Sequence, residues 1–243
     1  MKRYGLIGRS LSHSFSQHYF TQKFAKEGLS DHRYDPFELA DIAEVRELIR
    51  TTNGLCGFNV TIPYKQEIIP FLDELDATAS AVGAVNTVKI EGGRTIGYNT
   101  DVDGFRATLL PLLQGSTPRA LVLGSGGASR AVAYVLREAG IKFRVVSRSR
   151  ERGDMVWDVL EPILVNVSTL IINTTPLGME PAPENRPELP YDAIGPKHLL
   201  IDLVYNPERT LFLLEGERRG ARTVNGLTML HAQAEASWAI WQR

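Results

Sequence analysis

Lysine and aspartate are the side chains of this chain best placed to move a proton. Lys65 closes the run Asn59-Val60-Thr61-Ile62-Pro63-Tyr64-Lys65, and Asp101 closes Gly97-Tyr98-Asn99-Thr100-Asp101. Each run is an uncharged polar cluster at a strand end, with its ionisable residue at or near the start of a helix. Hydride reduction of a ketone needs a proton donor within hydrogen-bond reach of the developing alkoxide. A Lys–Asp pair in one cleft supplies this, the carboxylate orienting the ammonium or sharing its proton. Taken singly, each has a plainer role: Lys65 as a surface charge, Asp101 as the N-cap of the helix that follows.

A hydride source is suggested by the middle of the chain. Ala120-Leu121-Val122-Leu123 reads as a buried strand, Gly124-Ser125-Gly126-Gly127-Ala128-Ser129 as a tight turn, and Arg130 to Ala139 as a helix. Ile141 to Val146 reads as a second strand. This is the order of a nucleotide-binding βαβ unit. Glycines let the backbone approach a pyrophosphate, and the helix N-terminus offers free N–H groups to the anion. Ser129 stands where the usual fingerprint has its third glycine. An NAD site places an acidic residue at the end of the second strand. Here that place holds Ser147-Arg148-Ser149, with Arg152 expected one helical turn on. Guanidinium groups match a phosphate dianion, so NADP fits better than NAD. The competing reading is a solvated basic helix start.

Other polar groups are individually unremarkable. Ser12-His13-Ser14-Phe15-Ser16 makes a serine-rich loop in which Ser16 could cap a helix from Gln17 to Glu27. Asn86 opens a strand, Tyr205 precedes Asn206-Pro207, and Gln233 sits on the last helix. Turn amide, packing ring and solvated helical residue are their default roles. Together, hydroxyls and amides with few charges suit a polyhydroxylated ring.

These residues need elements to hold them. Tyr4–Gly8, His32–Phe37 and Gly57–Thr61 read as strands, Ile42–Arg50 as a helix, with further helices from Gln66 toward Leu72 and near Ala77–Val82. Asn86–Ile90 and Arg94–Tyr98, joined through Gly92-Gly93, make a hairpin. Asp101–Leu113 reads as a helix bridging two halves, Leu170–Asn173 and Leu199–Asp202 as doubly buried strands, 176–196 as a proline-rich loop, and Leu227–Gln242 as a final helix. With 243 residues, net charge −1 and one cysteine, Cys56, the chain has room for one large domain or two small ones. It carries no disulfide framework or cysteine-based zinc site, and no metal is expected. Balanced charge points away from nucleic acid and membrane and toward a small-molecule ligand. Met1-Lys2-Arg3 is followed by only a short apolar run, so a cytoplasmic setting is expected.

With these residues collected, the chain resembles the shikimate dehydrogenase family over nearly its whole length. The motifs already quoted occur in family order. So do Gly83-Ala84-Val85-Asn86-Thr87, Asn173-Thr174-Thr175-Pro176-Leu177-Gly178-Met179, Asp202-Leu203-Val204-Tyr205-Asn206-Pro207 and Asn225-Gly226-Leu227-Thr228-Met229-Leu230-His231-Ala232-Gln233. The resemblance implies reversible reduction of 3-dehydroshikimate to shikimate by NADPH, in aromatic amino-acid and chorismate biosynthesis. It implies a two-domain α/β fold. An N-terminal substrate domain, residues 1–101, is completed by the returning C-terminal helix, 226–243. A Rossmann-like NADP domain spans 102–225, with a catalytic cleft between the two. Lys65 and Asp101 would be the catalytic pair. Ser14, Ser16, Thr61, Asn86, Tyr205 and Gln233 would line the substrate pocket, the serines and Tyr205 near the carboxylate. Gly124, Ser125, Gly126, Gly127, Ala128, Asn173 and Thr174 would approach the cofactor, and Gly226 and Met229 would border the nicotinamide. Arg148, Ser149 and Arg152 would hold the 2′-phosphate.

The sequence departs from the family at Gln17, usually proline, and at Ser147, commonly asparagine. The segment between Arg152 and Asn173 is short for the family, so part of the nucleotide domain, and its strand count, is expected to differ. A relaxed quinate/shikimate dehydrogenase and a non-catalytic NADP(H) sensor on the same fold are the alternatives. Retention of Lys65 and Asp101 disfavours the sensor. A methyltransferase would leave the arginines without a role. Monomer and homodimer are both compatible with the sequence.

Overall fold

The computed structural model of the chain describes residues 1–11 and 15–243. The chain forms two compact units: residues 1–100 with 234–243, and residues 101–233. The expected boundaries fell at 101/102 and 225/226; the observed ones fall at 100/101 and inside the last helix.

The first unit holds strands β1 (Lys2–Gly8), β2 (His32–Glu38), β3 (Gly57–Val60), β4 (Glu74–Leu75), β5 (Thr87–Glu91) and β6 (Arg94–Tyr98), with helices α1 (Phe15–Lys26), α2 (Val45–Thr51) and α3 (Ala77–Val82). They make one sheet in the order β2-β1-β3-β5-β6-β4. β1 pairs in parallel with β2 and β3, while β3–β5 and β5–β6 are antiparallel. The hairpin turns through Gly92 (φ 58°) and Gly93 (φ 80°), the two positive φ angles that a tight hairpin turn demands. The helix expected from Gln66 toward Leu72 is absent. Turns and a 3-10 segment, Ile69–Phe71, take its place, because Pro70 removes an N–H from its centre. Ser16 is the second residue of α1 and not its cap. Phe20 and Phe24 of that helix are buried with Tyr4, Tyr34 and Trp241 in an aromatic cluster.

The second unit holds α4 (Asp101–Leu113), β7 (Ala120–Leu123), α5 (Gly127–Glu138), β8 (Phe143–Ser147), β9 (Met155–Val156), α6 (Pro162–Val167), β10 (Leu170–Asn173), β11 (Leu199–Asp202), α7 (Leu211–Arg218) and β12 (Arg222–Val224). The last helix, α8 (Leu227–Trp241), begins there and ends in the first unit. Its sheet runs β12-β11-β10-β7-β8-β9, and every neighbouring pair is parallel. In chain order this is 3-2-1-4-5-6 from one edge, the doubly wound dinucleotide-binding arrangement. β7 and β10 are buried along their whole length, and β11 in all but Leu199, as strands covered on both faces must be.

Two expectations need correcting here. The helix after the glycine turn starts at Gly127, not Arg130. Arg152 lies in a turn, not one turn along a helix. Residues 148–154 are too few for a crossover helix. The chain doubles back so tightly that a Cβ at Gly153 would lie 2.8 Å from the Val145 carbonyl oxygen. All six strands survive the short segment after Arg152, although β9 keeps only two residues. Among the described residues, no helix is long and apolar enough to cross a membrane.

Candidate active site

In the first unit, sheet geometry gathers three of the expected residues at the ends of β3 and β5. Thr61 follows β3 and donates its backbone N–H to Ile7 at 2.9 Å, and the Tyr64 N–H returns to the Thr61 carbonyl. Lys65, half-buried, follows in the same turn. Its carbonyl accepts the Val85 N–H at 2.7 Å, which fixes the lysine backbone beside Asn86. Asn86 is buried, with Nδ2 donating to Thr100 Oγ1 (2.9 Å) and Oδ1 accepting the Thr100 N–H (2.7 Å). Asn99 Nδ2 donates to the Ala84 carbonyl, so the Asn99-Thr100 and Ala84-Val85-Asn86 segments are laced together. Burial drives the pKa of the Tyr34 hydroxyl far up, while neighbouring Ser16 acts to lower it. Tyr34 donates in turn to Asn59 Oδ1. Ser14 lies outside the described residues.

In the second unit, Asp101 is buried at the N-terminus of α4. One turn on, a Cβ at Gly104 would fall 2.6 Å from the Met229 carbonyl oxygen and 3.2 Å from Gln233 Cβ. A glycine is required there for α4 and α8 to touch, and that contact sets Met229 and Gln233 against the face of α4 that starts at Asp101. Gln233 Nε2 donates to the Leu230 carbonyl. Gly226 approaches the β11 loop still more closely: its N–H donates to Val204, and a Cβ would meet Leu203 O at 2.2 Å. Half-buried Tyr205 is the next residue of that loop.

The glycine turn leaves β7 at the point where the strand order reverses, between β8 and β10. Gly124 (φ 108°) donates to Val146, while Thr174 bonds the Leu123 carbonyl through both N–H and Oγ1. A Cβ at Gly124 would strike Thr174 Oγ1 at 2.7 Å. Gly126 is the N-cap of α5, with no side chain capping the helix, and a Cβ there would meet nothing within 4 Å. Protein packing therefore does not require a glycine at 126, whereas a ligand lying against the backbone would. Ser129, in the third-glycine position, is buried, and its small side chain suffices for helix–strand packing. Past β8, Arg148, Arg150 and Arg152 are exposed, and among the described residues none is in an ion pair. Ser147 Oγ bonds both the carbonyl and the N–H of half-buried Ser149 and so shapes this arginine turn. Free helix N–H groups, open space over Gly126 and three uncompensated guanidiniums fit a dinucleotide carrying an extra phosphate.

Asn173 stands differently from the expectation that it approaches a cofactor. It is fully buried, its Nδ2 on Asp202 (2.9 Å) and Leu177 O, and its Oδ1 on the N–H and hydroxyl of Thr175. Asp202 also accepts from the Val204 N–H and Thr210 Oγ1, and burial pushes its carboxyl up to about 6. These two residues brace the ends of β10 and β11. Sequence reasoning passed over Asp202, Gly104 and the hydroxyls of Thr87, Thr100 and Ser237. The available signal was Asn59: a carboxamide between Phe58 and Val60 in a buried strand must have buried partners.

Comparison with known proteins agrees with this architecture. Residues 6–88 match the family model described as the shikimate dehydrogenase substrate binding domain. A shikimate dehydrogenase (NADP(+)) of Desulforamulus reducens is 35% identical over 98% of this chain and 88% of its own. A crystal structure of a shikimate dehydrogenase in complex with NADP+ superposes with a TM-score of 0.87 at 33% identity, covering 99% of this chain and 90% of that one. The enzyme from Thermus thermophilus, in complex with NADP(H) and shikimate, gives 0.83 at 32% identity over 99% and 93%. The fold is thus that of a two-domain α/β oxidoreductase with a substrate domain and a Rossmann-like NADP domain. The chain belongs to the shikimate dehydrogenase family.

Proposed function

We propose that the protein interconverts 3-dehydroshikimate and shikimate with NADP(H), a step of aromatic amino-acid biosynthesis, in the cytoplasm. One observation carries the reading. Kinship with NADP-dependent shikimate dehydrogenases over 98% of the chain coincides with a glycine turn at the switch point that leaves room for a ligand backbone contact.

Bound NADPH supplies the hydride, which forms the new C–H bond at the substrate carbonyl carbon. Lys65 binds the carbonyl oxygen and gives it the proton as the C=O π pair moves onto oxygen. Asp101 orients the ammonium and shares its proton. In the reverse direction Lys65 takes the hydroxyl proton. Thr61, Asn86 and Gln233 hold ring hydroxyls, and Ser14, Ser16 and Tyr205 the carboxylate. The backbone from Gly124 through Ser125, Gly126, Gly127 and Ala128 receives the pyrophosphate. Arg148, Ser149 and Arg152 receive the 2′-phosphate, Thr174 flanks the turn, and Gly226 and Met229 border the nicotinamide. Asn173 shapes the Thr174 loop from beneath, since its carboxamide is engaged on Asp202 and Thr175.

The test is product identification. Purified protein incubated with 3-dehydroshikimate and NADPH should yield shikimate by proton NMR, with quinate assayed in parallel in the oxidative direction. NADPH binding without any product would contradict the assignment and favour a cofactor-sensing protein.

A further inference from the structure

We infer that Thr100 and Ser237 are positioning residues: a closed ring of three buried hydroxyls fixes the orientation of the Asn86 carboxamide and so sets its recognition of a substrate hydroxyl. The inference rests on the proposed reaction. Thr87 Oγ1, Thr100 Oγ1 and Ser237 Oγ are mutually within hydrogen-bond range, at 2.8, 3.1 and 3.2 Å. Thr87 and Ser237 are fully buried and Thr100 is 1% exposed. Two carboxamides flank the ring. Asn59 Nδ2 donates into it, to Ser237 at 2.9 Å and Thr87 at 3.0 Å, and is itself oriented by the Tyr34 hydroxyl on its Oδ1. Asn86 closes it from the other side through Thr100.

Donor counting shows why the ring matters. A hydroxyl has one proton to give and two lone pairs. The Thr100 backbone N–H can only donate, so Asn86 must turn Oδ1 toward it and Nδ2 toward Thr100 Oγ1. A flipped amide would set two donors against each other. Thr100 Oγ1 accepts from Asn86 Nδ2 most strongly when its own proton is taken by Ser237 or Thr87, and such a chain polarises each bond in turn. Ser237, together with Thr87, thus carries the proton order from Asn59 to Asn86. On α8 it lies one turn before Trp241, whose indole donates to the Val88 carbonyl at 2.9 Å.

The test is a set of steady-state measurements on the full-length enzyme with shikimate and NADP+. Thr100→Val, of equal shape, and Ser237→Ala should each raise KM for shikimate about tenfold. KM for NADP+ should stay within about twofold, and kcat should change far less than KM for shikimate. Thr100→Ser, which restores the hydroxyl, should return shikimate KM to near the wild-type value. In an Asn86→Ala background, Ser237→Ala should cost no further kcat/KM, because its effect passes through the missing carboxamide. Additive losses in that double variant would overturn the inference, as would an unchanged shikimate KM in Ser237→Ala. Should Thr100→Val not fold, the Ser237–Asn86 cycle still decides. Wild-type protein without shikimate turnover would instead bring down the proposed reaction, and the inference with it.

Discussion

Lys65, the proposed proton donor, is held through its backbone. The Lys65 carbonyl accepts from Val85, one residue before the buried Asn86, so the side chain starts from a fixed point beside the amide proposed to bind substrate. A proton donor so placed is worth about a hundredfold or more in rate. Lys65→Ala should therefore lower kcat by at least about a hundredfold while changing shikimate KM little. A kcat within a few-fold of wild type would remove the residue from the chemical step. Arg148 makes the complementary case for the cofactor. It is exposed and unpaired among the described residues, so its charge has no structural partner to lose. Arg148→Ala should raise KM for NADPH about tenfold and leave KM for NADH nearly unchanged. Equal effects on both nicotinamides would contradict a 2′-phosphate contact.

The glycine turn separates two meanings of a glycine within three residues. Gly124 has a φ of 108° and a Cβ there would collide with Thr174, so Gly124→Ala should lower the melting temperature by several degrees. Gly126 faces open space. Gly126→Val should melt near the wild-type temperature yet bind NADPH at least about tenfold more weakly, as fluorescence titration would show. A Gly126→Val protein that unfolds, or one that binds NADPH normally, would contradict a ligand-facing role. Beneath the neighbouring strand ends lies Asp202, whose carboxyl is raised from 3.8 to about 6 by burial. The native state then holds a proton that the unfolded chain releases, so this group favours folding below about pH 4 and loses that contribution as pH rises through about 6. Melting curves between those limits should show wild type gaining on Asp202→Asn as pH falls. A pH-independent difference would deny the buried proton.

What the sequence disclosed about these elements follows from their burial. β7, β10 and β11 were legible because strands covered on both faces are continuous apolar runs, and the hairpin because Gly92 and Gly93 have no other use. The helix expected near Gln66 failed on Pro70, and the one expected around Arg152 failed on a connection too short to contain it. Ser237 was invisible for a different reason. A lone serine on a helix reads as a solvated position until the opposing strands, which lie more than a hundred residues away, bring Asn59, Thr87 and Thr100 to it. Lys65, Asn86 and Asp101 could be named from polar clusters at strand ends, but the network that holds Asn86 could not.

The arrangement of the molecule explains why a nucleotide turn sits in mid-chain. The first hundred residues build a mixed sheet with the substrate-binding family signature over 6–88. The following unit builds the parallel sheet with the glycine turn at its switch point. The last helix begins in the second unit and ends in the first, through Trp241 on Val88 and Ser237 among the threonines. The most direct measurement is the rate of NADPH formation when the full-length protein meets shikimate and NADP+, with Lys65→Ala alongside. Shikimate-dependent NADPH formation that is strongly reduced with NAD+ and nearly abolished in Lys65→Ala is the expected result. No shikimate-dependent formation in the wild-type protein, or equal rates in the variant, would contradict it.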